Sequence, residues 1–169
     1  MKKPILVFGY GNLSRGDDAV GPLLLTHLEQ HADLSRVDLL TDFQLQIEHA
    51  LDLQDRELVI FVDAAVSGDS PFGFSRLAAC RDNSYTSHAM SPAALLQVFE
   101  SVTGVTSPPS FLLSIKTSSF ELGDGLSETA RNNLHEACRF AEDLLALPVV
   151  EMLDVVLPTA CLVSSVGHD

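Results

Sequence analysis

This sequence is short of positive charge. Ten lysines and arginines stand against 23 aspartates and glutamates, a formal net charge of -13 over 169 residues. A chain so poor in cations has little with which to neutralise a phosphate backbone, so no nucleic-acid partner is expected. A basic partner or a metal ion suits the balance better. Cysteine is scarce as well. Cys80, Cys138 and Cys161 lie far apart and form no CxxC pair, which excludes a zinc knuckle or a CxxC redox motif. An odd, scattered set fits a reducing compartment, and the three read as small core side chains. Long apolar runs are missing too. The N-terminal MKKPILVFGYG breaks at Gly9, too soon for a secretory segment, and no stretch is long enough to span a bilayer. The expectation is a soluble, cytoplasmic chain with no membrane partner.

Two catalytic signatures are also absent. No GxSxG elbow occurs, so an α/β-hydrolase is unsupported. His49 follows Glu48 in QIEHALDL, but this is not HExxH, so a zincin is excluded. There is no internal repeat and no low-complexity segment. Apolar residues make up 46% of the chain, enough for one domain with a real core.

That core has a readable order. ILVFG (5–9), RVDLLTD (36–42), ELVIFVDA (57–64), GFSRLAA (73–79) and SFLLSIK (110–116) read as strands, the fourth as an edge. Between them, DDAVGPLLLTHLEQH (17–31) carries a helical stripe with Asp17 as its N-cap, and QLQIEHALDL (44–53) reads as a short helix. SPAALLQVFESV (91–102) opens with Ser91 as N-cap and Pro92 at the first helical position, with Met90 and Leu95 placed as a hydrophobic staple. A long amphipathic helix over 126–147 ends at Pro148. Strands alternating with helices predict an α/β three-layer sandwich, its mostly parallel twisted sheet of about five strands flanked by helices. Residues 1–147 form the domain. The apolar tail 148–169 is read first as an extra packed element, with a partner-binding segment or an appended extension as alternatives.

The first loop, GYGNLSRGDDAVG (9–21), poses the functional question. The first strand of an open α/β sheet delivers its loop to the ligand crevice. A dinucleotide fingerprint needs a third glycine where Ser14 stands. Asp42 lies where an acid meets a ribose, which keeps a nucleotide reading in play. Asp17 and Asp18, however, occupy the helix start where a pyrophosphate needs bare amide donors, and two carboxylates would repel it. Acids at a helix N-terminus gain about 0.3–1 kcal/mol each from the macrodipole, which accounts for one of them. The two side chains diverge by about 100° on a helix, so one can cap while the other faces the crevice.

Two further residues point the same way. Asp63 closes the clearest strand, at a crevice position. His88, in SYTSHAMSP, lies just before the Ser91–Pro92 helix start. A lone loop histidine is usually surface. With Asp18 and Asp63 it makes an N/O donor set suited to a divalent transition metal. A serine triad from Ser14 or Ser87 with His88 and Asp63 ranks low, because Ser87 adjoins His88 in sequence. His27, His31, His135 and His168 fall on helix surfaces or the tail and are given no role.

GYGN–LSRGDDAVG, then IFVDA (60–64), then SYTSHAMSP (84–92), resemble the NiFe-hydrogenase maturation endopeptidases. The resemblance covers most of the first hundred residues, and the helix–strand pattern continues to about residue 147. It implies an enzyme that removes a C-terminal peptide from a hydrogenase large-subunit precursor once nickel is loaded. The family's metal-contacting residues fall on Asp18, Asp63 and His88, the nickel being carried by the substrate. One segment departs. Where better-known members have Asp-Gly-Gly-Thr, this chain reads TDFQLQIEHALDL (41–53), which is similar to the variant serving soluble, NAD-coupled hydrogenases. Asp42 keeps the acid there, and Gln44 and Gln46 stand as hydrogen-bond partners for a peptide. Asn12 is placed to hydrogen-bond either its own loop or the scissile peptide. Whether nickel polarises the scissile carbonyl, or serves as a checkpoint while Asp42 or Asp18 activates water, stays open. The competing expectations are a nucleotide-binding α/β protein and a small hydrolase of the peptidyl-tRNA hydrolase kind, the latter disfavoured by the charge. A monomer that pairs transiently with its substrate is expected.

Overall fold

Six consecutive residues, Ile5–Tyr10, are all buried and form the first strand, β1. Such a run is stable as a strand only when both of its faces are covered. A computed structural model describes residues 1–81, 90–118, 123 and 125–155. It adds β2 (Val37–Asp42), β3 (Leu58–Ala65), β4 (Phe72–Leu77) and β5 (Ser110–Lys116). The five strands lie in the order β2-β1-β3-β5-β4. All pairings are parallel except that of β4 with β5. β4 therefore sits antiparallel at one edge, as the weaker pattern of GFSRLAA implied.

Two apolar clusters cover the two faces. Ile5, Val7, Ile60, Val62, Leu113 and Ile115 meet helices α1 (Val20–His31) and α3 (Glu128–Leu145) on one side. Leu6, Phe8, Tyr10, Val59 and Phe61 meet α2 (Pro92–Thr103) and a 3-10 stretch, Ile47–Leu53, on the other. This is the three-layer α/β sandwich that the alternation predicts.

The helix ends follow from capping chemistry. Ser91 accepts from the Ala94 N–H at 3.1 Å, and Pro92 is the first helical residue. Met90 packs on the cluster that contains Leu95, as a staple requires. Ser127 caps α3 in the same way, accepting from Ala130 N–H at 3.1 Å.

Several expectations need correction. Asp17 does not cap α1, whose N-cap is Ala19 with no side-chain bond. A 3-10 turn, Gly16–Ala19, intervenes and runs straight into the helix. The segment expected as a short helix over 44–53 is helical only over Ile47–Leu53, as a 3-10 helix. The cysteines differ from one another: Cys138 is buried, with burial pushing its thiol up to about 11, whereas Cys80 is exposed. Cys161 lies outside the described residues. After Pro148 the chain makes one short turn, α4 (Val149–Met152), and Met152 is fully buried against the α1–α3 face.

Gly21 sets how closely α1 approaches the sheet. A Cβ there would lie 2.8 Å from the Tyr10 carbonyl oxygen and 2.9 Å from that of Val62. The absence of a side chain lets the helix start sit directly over the ends of β1 and β3.

Candidate functional site

The strand order reverses direction at β1. The chain leaves β1 for β2 on one side and returns to β3 on the other. The connections therefore splay apart beyond the carboxyl ends of β1 and β3, opening the crevice in which this class of sheet binds ligands. The loop Gly11–Asp18 and the acid Asp63 are both delivered there.

The loop is built around Asp18. Its Oδ2 accepts the Asn12 backbone N–H at 2.7 Å. Gly11 is extended into the left-handed half of conformational space, with φ of 148°, and a Cβ there would fall 2.0 Å from the Asp18 carbonyl oxygen. Only glycine fits. The Asn12 side chain turns back on its own loop, its Oδ1 accepting from Ser14 N–H at 2.8 Å. Of the two openings left for Asn12, its oxygen takes the one inside the loop. The amide that a phosphate would need is also occupied, by a carboxylate of the chain itself.

Asp17 has a different task. It is fully buried. Its Oδ1 accepts from Ser127 N–H at 2.7 Å, and its Oδ2 accepts from the Ser127 hydroxyl at 2.7 Å and from Ser118 N–H at 2.8 Å. The carboxylate ties the loop to the end of β5 and to the start of α3. A second link, Gly123 N–H to the Ser14 carbonyl at 2.8 Å, joins the loop to the connection between β5 and α3. Asp17 is thus a peg behind the loop, and Asp18 is the acid left at the crevice.

Asp63 lies near the end of β3. The Tyr10 hydroxyl donates to its Oδ2 at 3.1 Å, and the Ala64 N–H donates to its Oδ1 at 2.7 Å. Burial pushes this carboxyl up to about 7. The two donors pull the other way, and the charge of nearby Asp18 adds to the rise. A pair of carboxylates close enough to feel each other, one of them desolvated, is a common signature of a working site. Sequence reasoning singled out both acids but passed over Tyr10. The signal was its place in GYGN, one residue beyond the register pair Gly9–Val62.

Asp42 ends β2, where it pairs with Tyr10. Its carbonyl accepts the Gly11 N–H at 3.0 Å. Its carboxylate accepts the Phe43 N–H at 2.7 Å and contacts His49 Nε2 at 3.1 Å. His49 is the second residue that sequence reasoning left aside. It is buried, and its Nδ1 accepts the Gln46 backbone N–H at 2.8 Å. Gln46, expected as a partner for a peptide, is instead the N-cap of the 3-10 stretch, its side chain taking the His49 N–H. Gln44 is exposed. A cleft of about 230 Å³ opens beside Asp42, lined by Gly11, Leu13, Pro22, Thr41 and Phe43.

His88 lies outside the described residues, as does Ser87. Among the described residues, no three histidines, cysteines or acids converge as a metal-binding group, and no helix is long and apolar enough to cross a membrane.

Solved structures share this architecture. The hydrogenase maturating endopeptidase HybD from E. coli is 26% identical, with a TM-score of 0.65 over 87% of this chain and 92% of that one. An endopeptidase from Escherichia coli is 25% identical, with a TM-score of 0.67 over 94% of this chain and 98% of that one. The NiFe hydrogenase maturation protease HycI from Thermococcus kodakarensis KOD1 is 22% identical, with a TM-score of 0.65 over 86% and 94% of the two chains. No protein-family model matches the sequence, and no curated protein matches it. The fold is that of the hydrogenase maturation endopeptidases.

Proposed function

We propose that this chain is an endopeptidase that removes the C-terminal extension of a NiFe-hydrogenase large-subunit precursor after nickel insertion. The observation that carries the reading is the meeting of Asp18 and Asp63 in the β1–β3 crevice, on the fold of proteases of that kind. Nickel belongs to the substrate. Asp18 and Asp63 offer oxygen donors to it and His88 offers a nitrogen, a set suited to a divalent transition metal. Three donors leave positions for the substrate's own ligands. The metal then reports that loading is complete and fixes the tail in the crevice.

Burial of Asp63 supports this division of labour. A carboxyl raised to about 7 holds a proton more readily than a solvated one, and a cation beside it would favour the charged form. Tyr10 keeps the group aimed while that happens. Asp18 is held by its own loop amide and is ready without rearrangement.

The segment 41–53 supports a substrate among the soluble, NAD-coupled hydrogenases. That reading rests on Phe43, Gln44 and Leu45 standing where Gly-Gly-Thr occurs in better-known members. The working enzyme is a cytoplasmic monomer that pairs with its precursor transiently.

The test is direct. Purified protein is mixed with a nickel-loaded large-subunit precursor, and the product is weighed by mass spectrometry. Release of a single C-terminal peptide is expected. An unchanged precursor mass, with the protein folded, overturns the proposal.

A further inference from the structure

Asp42 and Asp63 occupy the same level of the sheet. Asp42 pairs with Tyr10, and Gly9 pairs with Val62, so Tyr10 stands between Asp42 and Asp63 on three adjacent parallel strands. Register partners in parallel strands project to the same face. Two strand spacings separate the acids, about 10 Å between their backbones. Each acid is held by a ring. Tyr10 donates to Asp63, and His49 meets Asp42.

The His49 ring has no freedom to do anything else. Its Nδ1 accepts the Gln46 N–H, so its proton sits on Nε2 and is donated to Asp42 Oδ2. Its edge packs at 86° on Phe8, with ring centroids 4.6 Å apart. Only 11% of the side chain is exposed. Both ring nitrogens are thus engaged within the fold. The ring is a brace.

Asp42 is more open, with 37% of its side chain exposed. A carboxylate offers about four lone-pair directions, and the Phe43 N–H and His49 use two. The rest face outward beside the cleft lined by Leu13 and Phe43, which are 61% and 71% exposed. An acceptor-only group next to exposed apolar side chains suits an extended peptide, with an N–H donor for the acid and apolar side chains for the rim.

We infer that His49 is a positioning residue that fixes Asp42 as an anchor for an N–H donor of the substrate tail, and that this anchor sets affinity for the tail. The inference rests on the proposed function, since it needs a peptide in the crevice. An extended peptide advances about 3.3 Å per residue, so the 10 Å offset puts the anchored donor about three residues from the group held at Asp63.

The test separates the two bonds of His49 with two amide substitutions. His49→Gln keeps a donor that reaches Asp42 but gives up the acceptor for Gln46. His49→Asn keeps the acceptor for Gln46 but stops short of Asp42. Both are assayed on nickel-loaded precursor, with melting temperatures measured alongside. The anchor role predicts about a tenfold rise in KM at nearly unchanged kcat for His49→Asn, and values within about threefold of wild type for His49→Gln. The reverse order would show that His49 serves only its own turn, and would overturn the inference. A fall in kcat at unchanged KM would also overturn it.

Asp42→Asn is the second arm, and it holds even if a His49 variant misfolds. It should raise KM as His49→Asn does, and an unchanged KM overturns the anchor. Where the double variant folds, it should be no worse than Asp42→Asn alone, whereas additive losses would mean that His49 acts independently of Asp42. Folded wild-type enzyme that cleaves no nickel-loaded precursor would overturn the functional reading, and the anchor with it. Active wild type with an unaffected His49→Asn variant overturns the anchor alone.

Discussion

Asp17 accepts both the backbone N–H and the hydroxyl of Ser127, each at 2.7 Å, across 110 residues of sequence. Its neighbour Asp18 makes neither bond and turns to the crevice instead. Adjacent identical side chains thus divide into a structural peg and an acid close to Asp63.

The division predicts opposite phenotypes. Asp17→Ala would strand the N–H groups of Ser118 and Ser127, and should lower unfolding stability by roughly 2–4 kcal/mol. Asp18→Asn should cost far less stability, since its amide oxygen still accepts from Asn12, yet abolish processing of the precursor. Urea unfolding and the cleavage assay on both variants check this. Equal losses of stability would show that the two acids are not divided in this way.

Asp63 should make the free enzyme less stable as pH rises. Its carboxyl is raised from 3.8 to about 7 in the fold. Between those values the folded state holds more protons than the unfolded chain, so stability is fullest below about pH 4 and is lost as pH climbs through 7. Asp63→Asn removes that dependence. In chelator-treated protein, the variant should melt at least about 3 °C above wild type at pH 8, where a kcal/mol is worth about 2–4 °C for a chain of this size. Below about pH 4, where both states of the wild type are protonated, the two should nearly coincide. A variant that melts lower at both pH values would mean that the charged carboxylate is stabilising.

Much of this was legible in the sequence because it is local. Apolar runs such as ILVFG marked the strands, and Ser91–Pro92 marked a helix start. Asp18 and Asp63 were visible because each follows or closes a strand aimed at the crevice. The residues that were missed act through distant partners. Nothing near Asp17 announces Ser118 or Ser127, so helix capping looked sufficient. Tyr10 is one more apolar residue in a strand until the register sets it beside Asp63. His49 looked idle because the spacing that matters joins Gln46 and His49 in a capping box, while the bond to Asp42 closes only once β2 and the 3-10 stretch fold together. His88 was singled out from its loop and lies outside the described residues.

Gly11→Ala tests how tightly the loop is drawn. The new methyl would meet the Asp18 carbonyl oxygen at 2.0 Å, a backbone atom with no easy retreat, at a φ that favours glycine. The loop must open, which pulls Asp18 from Asn12 N–H. Processing should fall by at least about a hundredfold, equivalent to roughly 2.7 kcal/mol in the transition state. The same change at Gly104, where nothing lies within 4 Å of a Cβ, should leave processing intact and bring only the modest stability loss of its left-handed cap. Wild-type rates for Gly11→Ala would show that the tight turn is not needed to present Asp18.

The proposed division of nickel ligands between two proteins gives the last prediction. The free enzyme brings two carboxylates together in the described part of the crevice, and one of them is costly to ionise there. Such a site should hold nickel weakly by itself, with a Kd of about 10 μM or weaker by calorimetry at pH 7. Adding the large subunit's own ligands completes the coordination, so affinity should appear only in the complex. Three consequences are measurable together. Precursor lacking nickel should stay intact, nickel-loaded precursor should be cut, and generic peptides should be left alone at any nickel concentration. Cleavage of generic peptides, or of the nickel-free precursor at the loaded rate, would mean that Asp18 and Asp63 serve an ordinary hydrolase rather than a reader of metal loading.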